Sequence, residues 1–188
     1  MSVERVVQQH AEIDKLNQKF ENFKIFKGIE SDILSDGSLD YPDEILASFD
    51  FIVASVHSVL RMDEERATAR LIKAVENPYT TILGHPSTRL LLSRKGFPIN
   101  YPKLIDACAA NNVSIELNAH PYRLDIDWRL IPLCVEKGVK IAINPDSHRK
   151  EGLTDIRYGV LVAQKAGLKA EDVLNNLSLQ AFSEHIKK

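Results

Sequence analysis

The chain has 188 residues, of which 44% are hydrophobic and 27% are charged, and its formal net charge is −2. This composition is typical of a globular domain and excludes a global basic field for nucleic acid, so any binding of a polyanion has to be local. The sequence lacks the run of roughly 18 apolar residues that a membrane-spanning helix needs, and its charged N-terminus lacks an apolar signal core. The two cysteines belong to no CxxC pattern, which is typical of thiols in a reducing compartment. We expect a cytoplasmic protein without a membrane partner.

Helical and extended patterns alternate along the whole chain. The stretch 49–58 is an almost continuous apolar run, as expected of a strand that is covered on both faces. Strand–helix alternation predicts a parallel sheet with helices outside it, and no linker interrupts residues 1–188, so we expect one α/β domain. The predicted strands span 23–34, 49–58, 80–87, 113–121 and 139–148, and the predicted helices span 2–20, 41–49, 63–77, 101–112, 127–138, 154–167, 170–174 and 179–186.

Candidate ligands recur where the predicted strands end. Glu30, His57, His85, Asn118 and Asp146 follow one another at steps of 27, 28, 33 and 28 residues. One strand with its loop and helix needs about that length, so each marker has the same place in a repeating unit. In parallel α/β folds, ligands bind at the carboxyl ends of the strands. The spacing therefore predicts one site at that edge of the sheet.

The placement of the histidines indicates a metal site. Of the six histidines, His57, His85, His120 and His148 fall at predicted strand ends, and His148 stands two residues after Asp146 on the same face of an extended chain. Imidazole and carboxylate ligands without thiolate suit Zn²⁺, Mn²⁺ or Fe²⁺. Each residue alone has a simpler interpretation as a structural histidine, an edge carboxylate or a loop cap. Together they predict these metal ligands: Glu30, His57, His85, Asp146 and His148.

A metal cluster of this kind suits the hydrolysis of a phosphate ester, because metal ions clamp the phosphoryl group and activate water. Arg89, Arg94 and Arg123 follow the predicted ligand strands closely, and guanidinium groups match the geometry of phosphate. We interpret them as substrate-binding residues, with ordinary surface ion pairs as the alternative. His120 either contacts the substrate phosphate or only lines the mouth of the site.

The chain resembles the PHP (polymerase and histidinol phosphatase) domain in five segments: "FKIFKGIESDILSDGSLDY", "FDFIVASVHS", "TTILGHPSTRLL", "IELNAHPYRLDIDW" and "INPDSH". The likeness extends from the first helix to about Asn175 and is strongest to the C-terminal PHP domain of bacterial family-X DNA polymerases. It implies a distorted seven-stranded βα barrel with three metal ions at its mouth. It also implies a manganese- or zinc-dependent phosphoesterase, which in the polymerase-associated branch is a 3′–5′ exonuclease of DNA repair.

The resemblance also implies roles for single residues. Glu30 resembles the bridging carboxylate, His57 and His85 match two histidine ligands, and Asp146 with His148 matches the last Asp-x-His pair. Among these five, the resemblance implies catalytic roles for Glu30, His57, Asp146 and His148.

The sequence departs from the PHP pattern at its beginning. The family starts with a His-x-His strand and carries a further histidine on its second strand, and neither is found in residues 1–188. The chain thus resembles a PHP domain that lacks its first two βα units and keeps about five strands. We expect open edges on the two outer strands, fewer than three bound metal ions, and low or no activity of the isolated chain. Expected partners are the missing N-terminal part or a second copy bound through those edges.

Three functions are compatible with these patterns. The first is the exonuclease part of a family-X polymerase, which acts on DNA 3′ ends. The second is a phosphatase of the histidinol-phosphatase type, which acts on a small phosphate ester. The third is a non-catalytic remnant or interaction domain that docks to a partner.

Overall fold

Five parallel strands form a single sheet. In the computed structural model, which describes residues 1–187, the strands pair in chain order, so each lies beside the next one along the chain. All four pairings are parallel. The strands are β1 (Gly28–Asp32), β2 (Phe51–Ser55), β3 (Thr80–Leu83), β4 (Ser114–Asn118) and β5 (Ile141–Asn144).

Helices connect the strands and cover one face of the sheet. This arrangement confirms the predicted α/β class, with five parallel strands and outer helices in the order of a partial βα barrel. No helix within residues 1–187 is both long and apolar enough to cross a membrane. The helices are α1 (Val3–Asn17), α2 (Asp43–Leu46), α3 (Glu64–Val75), α4 (Tyr101–Ala110), α5 (Ile131–Glu136), α6 (Ile156–Lys165) and α7 (Leu179–His185).

Alternate residues of each strand face opposite sides of the sheet. One set points toward the helices and is aliphatic, so it packs into the main hydrophobic core. This core removes the largest apolar side chains from water and is the main source of the fold's stability. Its strand residues are Ile52, Ala54, Leu83, Ile115, Leu117, Ile141 and Ile143, all of them buried.

The opposite set forms what we call the site face, and it divides into two layers. Toward the amino ends of the strands, Ile82 and Ala142 join Leu174 in a second apolar cluster, with Phe51 and Phe182 packed against it. Toward the carboxyl ends, the same face is polar. It lines a cavity of about 370 Å³ with Glu30, Glu116, Asn144 and Asp146. The C-terminal segment therefore covers the apolar layer, and the polar layer stays accessible.

The outer edge of β5 is covered, although the sequence predicts it to be open. Val173 forms a parallel bridge with Ile141. The side chain of Asn175 accepts a hydrogen bond from the Ile143 N–H at 2.7 Å and donates one to the Ile143 carbonyl at 3.0 Å. The expectation is wrong at this edge because residues 173–175 fold back and satisfy backbone groups that would otherwise be unpaired. At the other side of the sheet, a cleft of about 420 Å³ borders β1.

Replacement of Leu174 tests this C-terminal cover. The side chain is 2% exposed, so Leu174→Ala should lower the free energy of unfolding by about 2–4 kcal/mol in a urea titration. Leu179 lies in the same segment with 53% exposure, and Leu179→Ala should change the stability by less than about 0.5 kcal/mol. Equal effects of the two substitutions would contradict the described packing.

Candidate metal centre

Three of the predicted ligands meet at the carboxyl ends of the first three strands. Glu30 lies within β1, His57 follows β2 by two residues, and His85 follows β3 by two residues. One ligand atom from each lies within 4.8 Å of the others. The chain therefore brings together one carboxylate and two imidazoles from segments that are 27 and 28 residues apart. We call this group the Glu30 cluster.

The Glu30 cluster has the dimensions of a metal site. Glu30 Oε1 lies 3.4 Å from His57 Nε2 and 3.1 Å from His85 Nε2. Ligands at about 2.0–2.1 Å from a tetrahedral ion are about 3.4 Å from one another. The two distances to Glu30 match this spacing, and the donor set suits Zn²⁺ or Mn²⁺.

Asp32 orients the first imidazole of the cluster. Its Oδ1 lies 2.5 Å from His57 Nδ1, which leaves His57 Nε2 directed at Glu30. A carboxylate on the far nitrogen of a ligating histidine fixes the ring and its tautomer and makes it a stronger ligand. The sequence-based prediction missed Asp32, although its position two residues after Glu30 on one strand places both carboxylates on the same face.

The charges of the cluster stabilise one another in the metal-free protein. Burial alone would raise the pKa of Glu30, but hydrogen bonds with His57 and His85 outweigh it and hold that pKa well below its usual range. The same contact with Glu30, assisted by Asp32 and opposed by partial burial, raises the pKa of His57 to about 9. The metal-free site therefore holds a proton on His57 at neutral pH, in the place that a metal cation would take.

The second imidazole is held from behind by buried carboxylates. The His85 side chain is 2% exposed, and its backbone N–H donates to Glu116 Oε2 at 2.7 Å. Two residues further, the N–H and hydroxyl of Ser87 both donate to Asp125 Oδ2, at 3.0 and 2.8 Å. Burial raises the pKa of Glu116 and that of Asp125. Together these contacts fix the turn that presents His85.

Glu116 is a second residue that sequence analysis missed. Besides the His85 N–H, it accepts hydrogen bonds from the amides of Asn144, at 2.9 Å, and Asn118, at 3.3 Å. It thereby joins β4 and β5 to the turn after β3. The available signal was again the two-residue period, because Glu116 shares a strand face with Asn118, which already belonged to the predicted ligand layer.

Asp146 and His148 lie outside the Glu30 cluster. Asp146 lines the same 370 Å³ cavity as Glu30, but its Oδ2 accepts from Asn118 Nδ2 at 3.0 Å and faces Arg123 Nε at 3.4 Å. The His148 side chain is 87% exposed, and its Nδ1 donates to the Asp146 carbonyl at 2.9 Å. Within residues 1–187, the group with metal-ligand spacing comprises Glu30, His57 and His85 alone. The roles of Asp146 and His148 as ligands stay predictions.

Two of the three predicted phosphate-binding arginines donate hydrogen bonds to groups in neighbouring loops. Arg89 donates through Nε to the Arg123 carbonyl, through Nη1 to Asp127 at 3.0 Å, and through Nη2 to the Leu124 carbonyl. Arg94 donates through Nε and Nη2 to the Thr88 carbonyl. A guanidinium carries five N–H donors, so these bonds leave further donors on both side chains, and the substrate-binding roles of Arg89 and Arg94 stay predictions.

Arg123 differs from those two arginines. Its side chain is 18% exposed, Nε faces Asp146, and its Nη1 is buried without a hydrogen-bond partner among the described residues. A buried guanidinium donor without a partner is costly and indicates a position suited to an anion.

His120 is half-buried, and its Nδ1 accepts from the Tyr122 N–H at 3.3 Å.

Comparison with known proteins gives two kinds of relative. No protein-family model matches the chain. It is 41% identical over all of its 188 residues to the DNA polymerase/3′-5′ exonuclease PolX of Bacillus subtilis (strain 168), and it spans 33% of that protein. It is 30% identical over 183 residues to a probable phosphatase of Thermoanaerobacter sp. (strain X514), which covers 92% of this chain and 72% of that protein. A probable phosphatase of Acetivibrio thermocellus is 31% identical over 175 residues, 88% of this chain and 69% of that protein.

Removal of the Asp32 charge tests the orientation of His57. Asp32→Asn should weaken Mn²⁺ binding by about 10- to 100-fold, because the far nitrogen of His57 loses its carboxylate partner. Asp36 belongs to the loop after β1 and pairs with Lys73 at 3.1 Å, so Asp36→Asn serves as the matched control and should leave binding unchanged. Free Mn²⁺ is measured by electron paramagnetic resonance. Equal binding by the two variants would contradict the role of Asp32.

The pH dependence of metal binding tests the electrostatics of the cluster. A metal ion needs the neutral Nε2 of His57, whose pKa is about 9 in the metal-free protein, so binding releases a proton. The apparent affinity for Mn²⁺ should therefore rise by about tenfold per pH unit between about pH 6.5 and pH 8.5. In His57→Gln, whose side chain binds no proton, the affinity should be lower and its slope with pH smaller. An unchanged slope in that variant would contradict the assignment.

Proposed function

Because the chain belongs to the PHP-type family of phosphoesterases, we propose that it hydrolyses phosphate esters with a divalent metal ion held by Glu30, His57 and His85. One observation carries this proposal: two imidazoles and one carboxylate, brought from three strands, lie within 4.8 Å of one another with Asp32 behind His57. Mn²⁺ and Zn²⁺ are the ions that this donor set favours.

The side chains around the cluster have separate tasks in such a reaction. A divalent ion at this place supplies Lewis-acid polarisation of a phosphoryl oxygen. Arg123, with its unpartnered buried Nη1, binds and orients the phosphate, and Asn118 holds Asp146 toward the cavity that Glu30 also lines. Asp146 and His148 act as further metal or catalytic groups once the exposed ring of His148 turns away from the Asp146 carbonyl.

We propose a DNA 3′ end as the substrate, in line with the 3′-5′ exonuclease named for the Bacillus subtilis relative. The exposure of the cluster supports this substrate. Glu30 is 40% exposed and His57 is 38% exposed, so the end of a polymer reaches them without passing into an enclosed pocket. The chain spans about a third of that relative, so the activity of the whole relative does not transfer directly. We include exonuclease activity and a role in DNA repair in this proposal.

A small phosphate monoester is the second candidate substrate. The relatives called probable phosphatases favour it, because the chain spans 72% and 69% of two of them. Release of inorganic phosphate from a sugar phosphate, measured beside release of nucleotides from single-stranded DNA, separates the two substrates.

The domain organisation is part of the same proposal. We interpret residues 1–188 as a PHP domain without its first two βα units, completed by an N-terminal part or a second copy. The cleft of about 420 Å³ beside β1 supports an added strand there, since Glu30 and Asp32 border it. The covered edge of β5 leaves β1 as the better docking edge. A remnant that only docks to such a partner is the third candidate, and it predicts no hydrolysis under any condition.

Substitution of Glu30 tests the proposed function. Glu30→Gln removes the charge that both imidazoles face, so Mn²⁺ binding and Mn²⁺-dependent hydrolysis should each fall by more than about 100-fold. Glu65 is an exposed carboxylate in the first turn of α3, and Glu65→Gln should leave both unchanged. Unchanged hydrolysis in Glu30→Gln would contradict the proposal.

Metal stoichiometry tests the prediction that the isolated chain carries an incomplete site. One Mn²⁺ per chain should bind at the Glu30 cluster, since this is the group with ligand spacing in the described part of the chain. Hydrolysis should be weak compared with that of a complete domain. Three Mn²⁺ per chain, together with digestion of single-stranded DNA at the rate of a complete domain, would overturn this prediction.

A further inference from the structure

A rigid turn after β4 presents an aromatic side chain to solvent beside the phosphate-binding position. The N–H groups of Arg123 and Leu124 donate to the His120 carbonyl at 2.8 and 3.2 Å. The His120 N–H donates to Asn118 Oδ1 at 3.0 Å, and the Tyr122 N–H donates to His120 Nδ1. These bonds fix the backbone of the turn before any ligand arrives.

The neighbouring loop fastens this turn from the other side. The Leu91 N–H donates to the Tyr122 carbonyl at 2.6 Å, and an antiparallel bridge joins Leu90 to Arg94. Leu92 at the tip of this loop is fully exposed, and Lys95 next to the bridge is exposed as well. The rim of the mouth therefore combines apolar surface with positive charge.

Tyr122 exposes its ring on this turn. Its side chain is 61% exposed, and its ring lies 5.7 Å from the His120 ring at an angle of 39°. The next residue is Arg123, whose Nη1 is the buried unpartnered donor near Asp146. A large exposed ring on a hydrogen-bonded turn, directly before a residue with an anion-binding donor, has the features of a stacking platform for a base.

We propose that Tyr122, backed by His120, is the subsite for the nucleobase of the terminal nucleotide. This inference rests on the proposed function, since the phosphate of that nucleotide is the one that Arg123 and the Glu30 cluster bind. The subsite accepts any base, because each base offers a flat face and the platform offers no hydrogen-bond pattern that selects one. Stacking on this subsite gives the site a preference for a nucleotide end over a phosphate ester that carries no nucleobase.

The size of the effect follows from the strength of stacking. The contribution of one stacked base in single-strand binding corresponds to about a five- to hundredfold change in affinity. Tyr122→Phe keeps the ring and should keep most of this contribution, whereas Tyr122→Ala should lose it. Phe23 is the matched control because it is exposed to the same 61% and precedes β1, at the opposite end of the sheet.

Binding of two oligonucleotides tests the subsite. Both are single-stranded and fluorescein-labelled, with a phosphorothioate at the last linkage, and they differ only in having a base or an abasic sugar at the 3′ end. In fluorescence anisotropy with Mn²⁺, the chain should bind the first about tenfold or more tightly than the second. Tyr122→Ala should bind the two almost equally, while Tyr122→Phe and Phe23→Ala should keep the difference.

Three results overturn the subsite: a base preference that persists in Tyr122→Ala, no base preference in the unmodified chain, or no binding of either oligonucleotide. The first result is what a merely structural role of Tyr122 predicts, because it would weaken the binding of both oligonucleotides by the same factor. The proposed function is tested separately, by Mn²⁺-dependent release of nucleotides from single-stranded DNA and of phosphate from a sugar phosphate. Failure of both reactions overturns the proposed function. The comparison of the two oligonucleotides measures binding alone and still decides on Tyr122.

Discussion

The Glu30 carboxylate is the group on which the candidate site depends. His57 and His85 are contributed by separate loops, and both direct Nε2 at the same oxygen of Glu30. Without that charge, the two rings would have no common partner, and their distance of 5.3 Å between centroids would bring two cationic groups together at low pH. The carboxylate thus holds the two rings together and contributes the third donor of the candidate metal centre. Asp32 and Glu116 extend this control, one by fixing a ring and the other by fixing a backbone turn.

The two faces of the sheet carry three layers of side chains: the main aliphatic core, a smaller apolar layer and the polar layer of the site. Aliphatic side chains that face the helices supply the apolar burial, and a smaller apolar layer on the site face is covered by Leu174 and Phe182. Only the layer at the carboxyl ends is left polar. The buried carboxylates of Glu116 and Asp125 are tolerated there because several N–H and hydroxyl donors bind them.

The strands and the ligand layer could be predicted because both follow from local patterns. The apolar runs define the five strands, and the repeat of about 28 residues places Glu30, His57 and His85 in one layer. Long-range contacts were not predictable in this way. Arg89 donates to the carbonyl of Leu124, and Arg94 donates to the carbonyl of Thr88. The residues that cover the edge of β5 follow it by about 32 positions in the chain. Glu116 was missed because its partners are backbone and amide groups, which no side-chain motif reveals.

The two-residue alternation in β4 has a consequence for how this domain can change over evolutionary time. Ile115 and Leu117 face the helices, while Glu116 and Asn118 face the site. A single inserted or deleted codon within this strand would exchange the two pairs, placing a carboxylate in the aliphatic core and a leucine at the mouth. The length of β4 is therefore constrained twice, by the packing of Ile115 and Leu117 in the core and by the positions of Glu116 and Asn118 at the site. Changes in length are better tolerated in the loops, where they can alter the rim around Tyr122 and leave the spacing of Glu30, His57 and His85 unchanged.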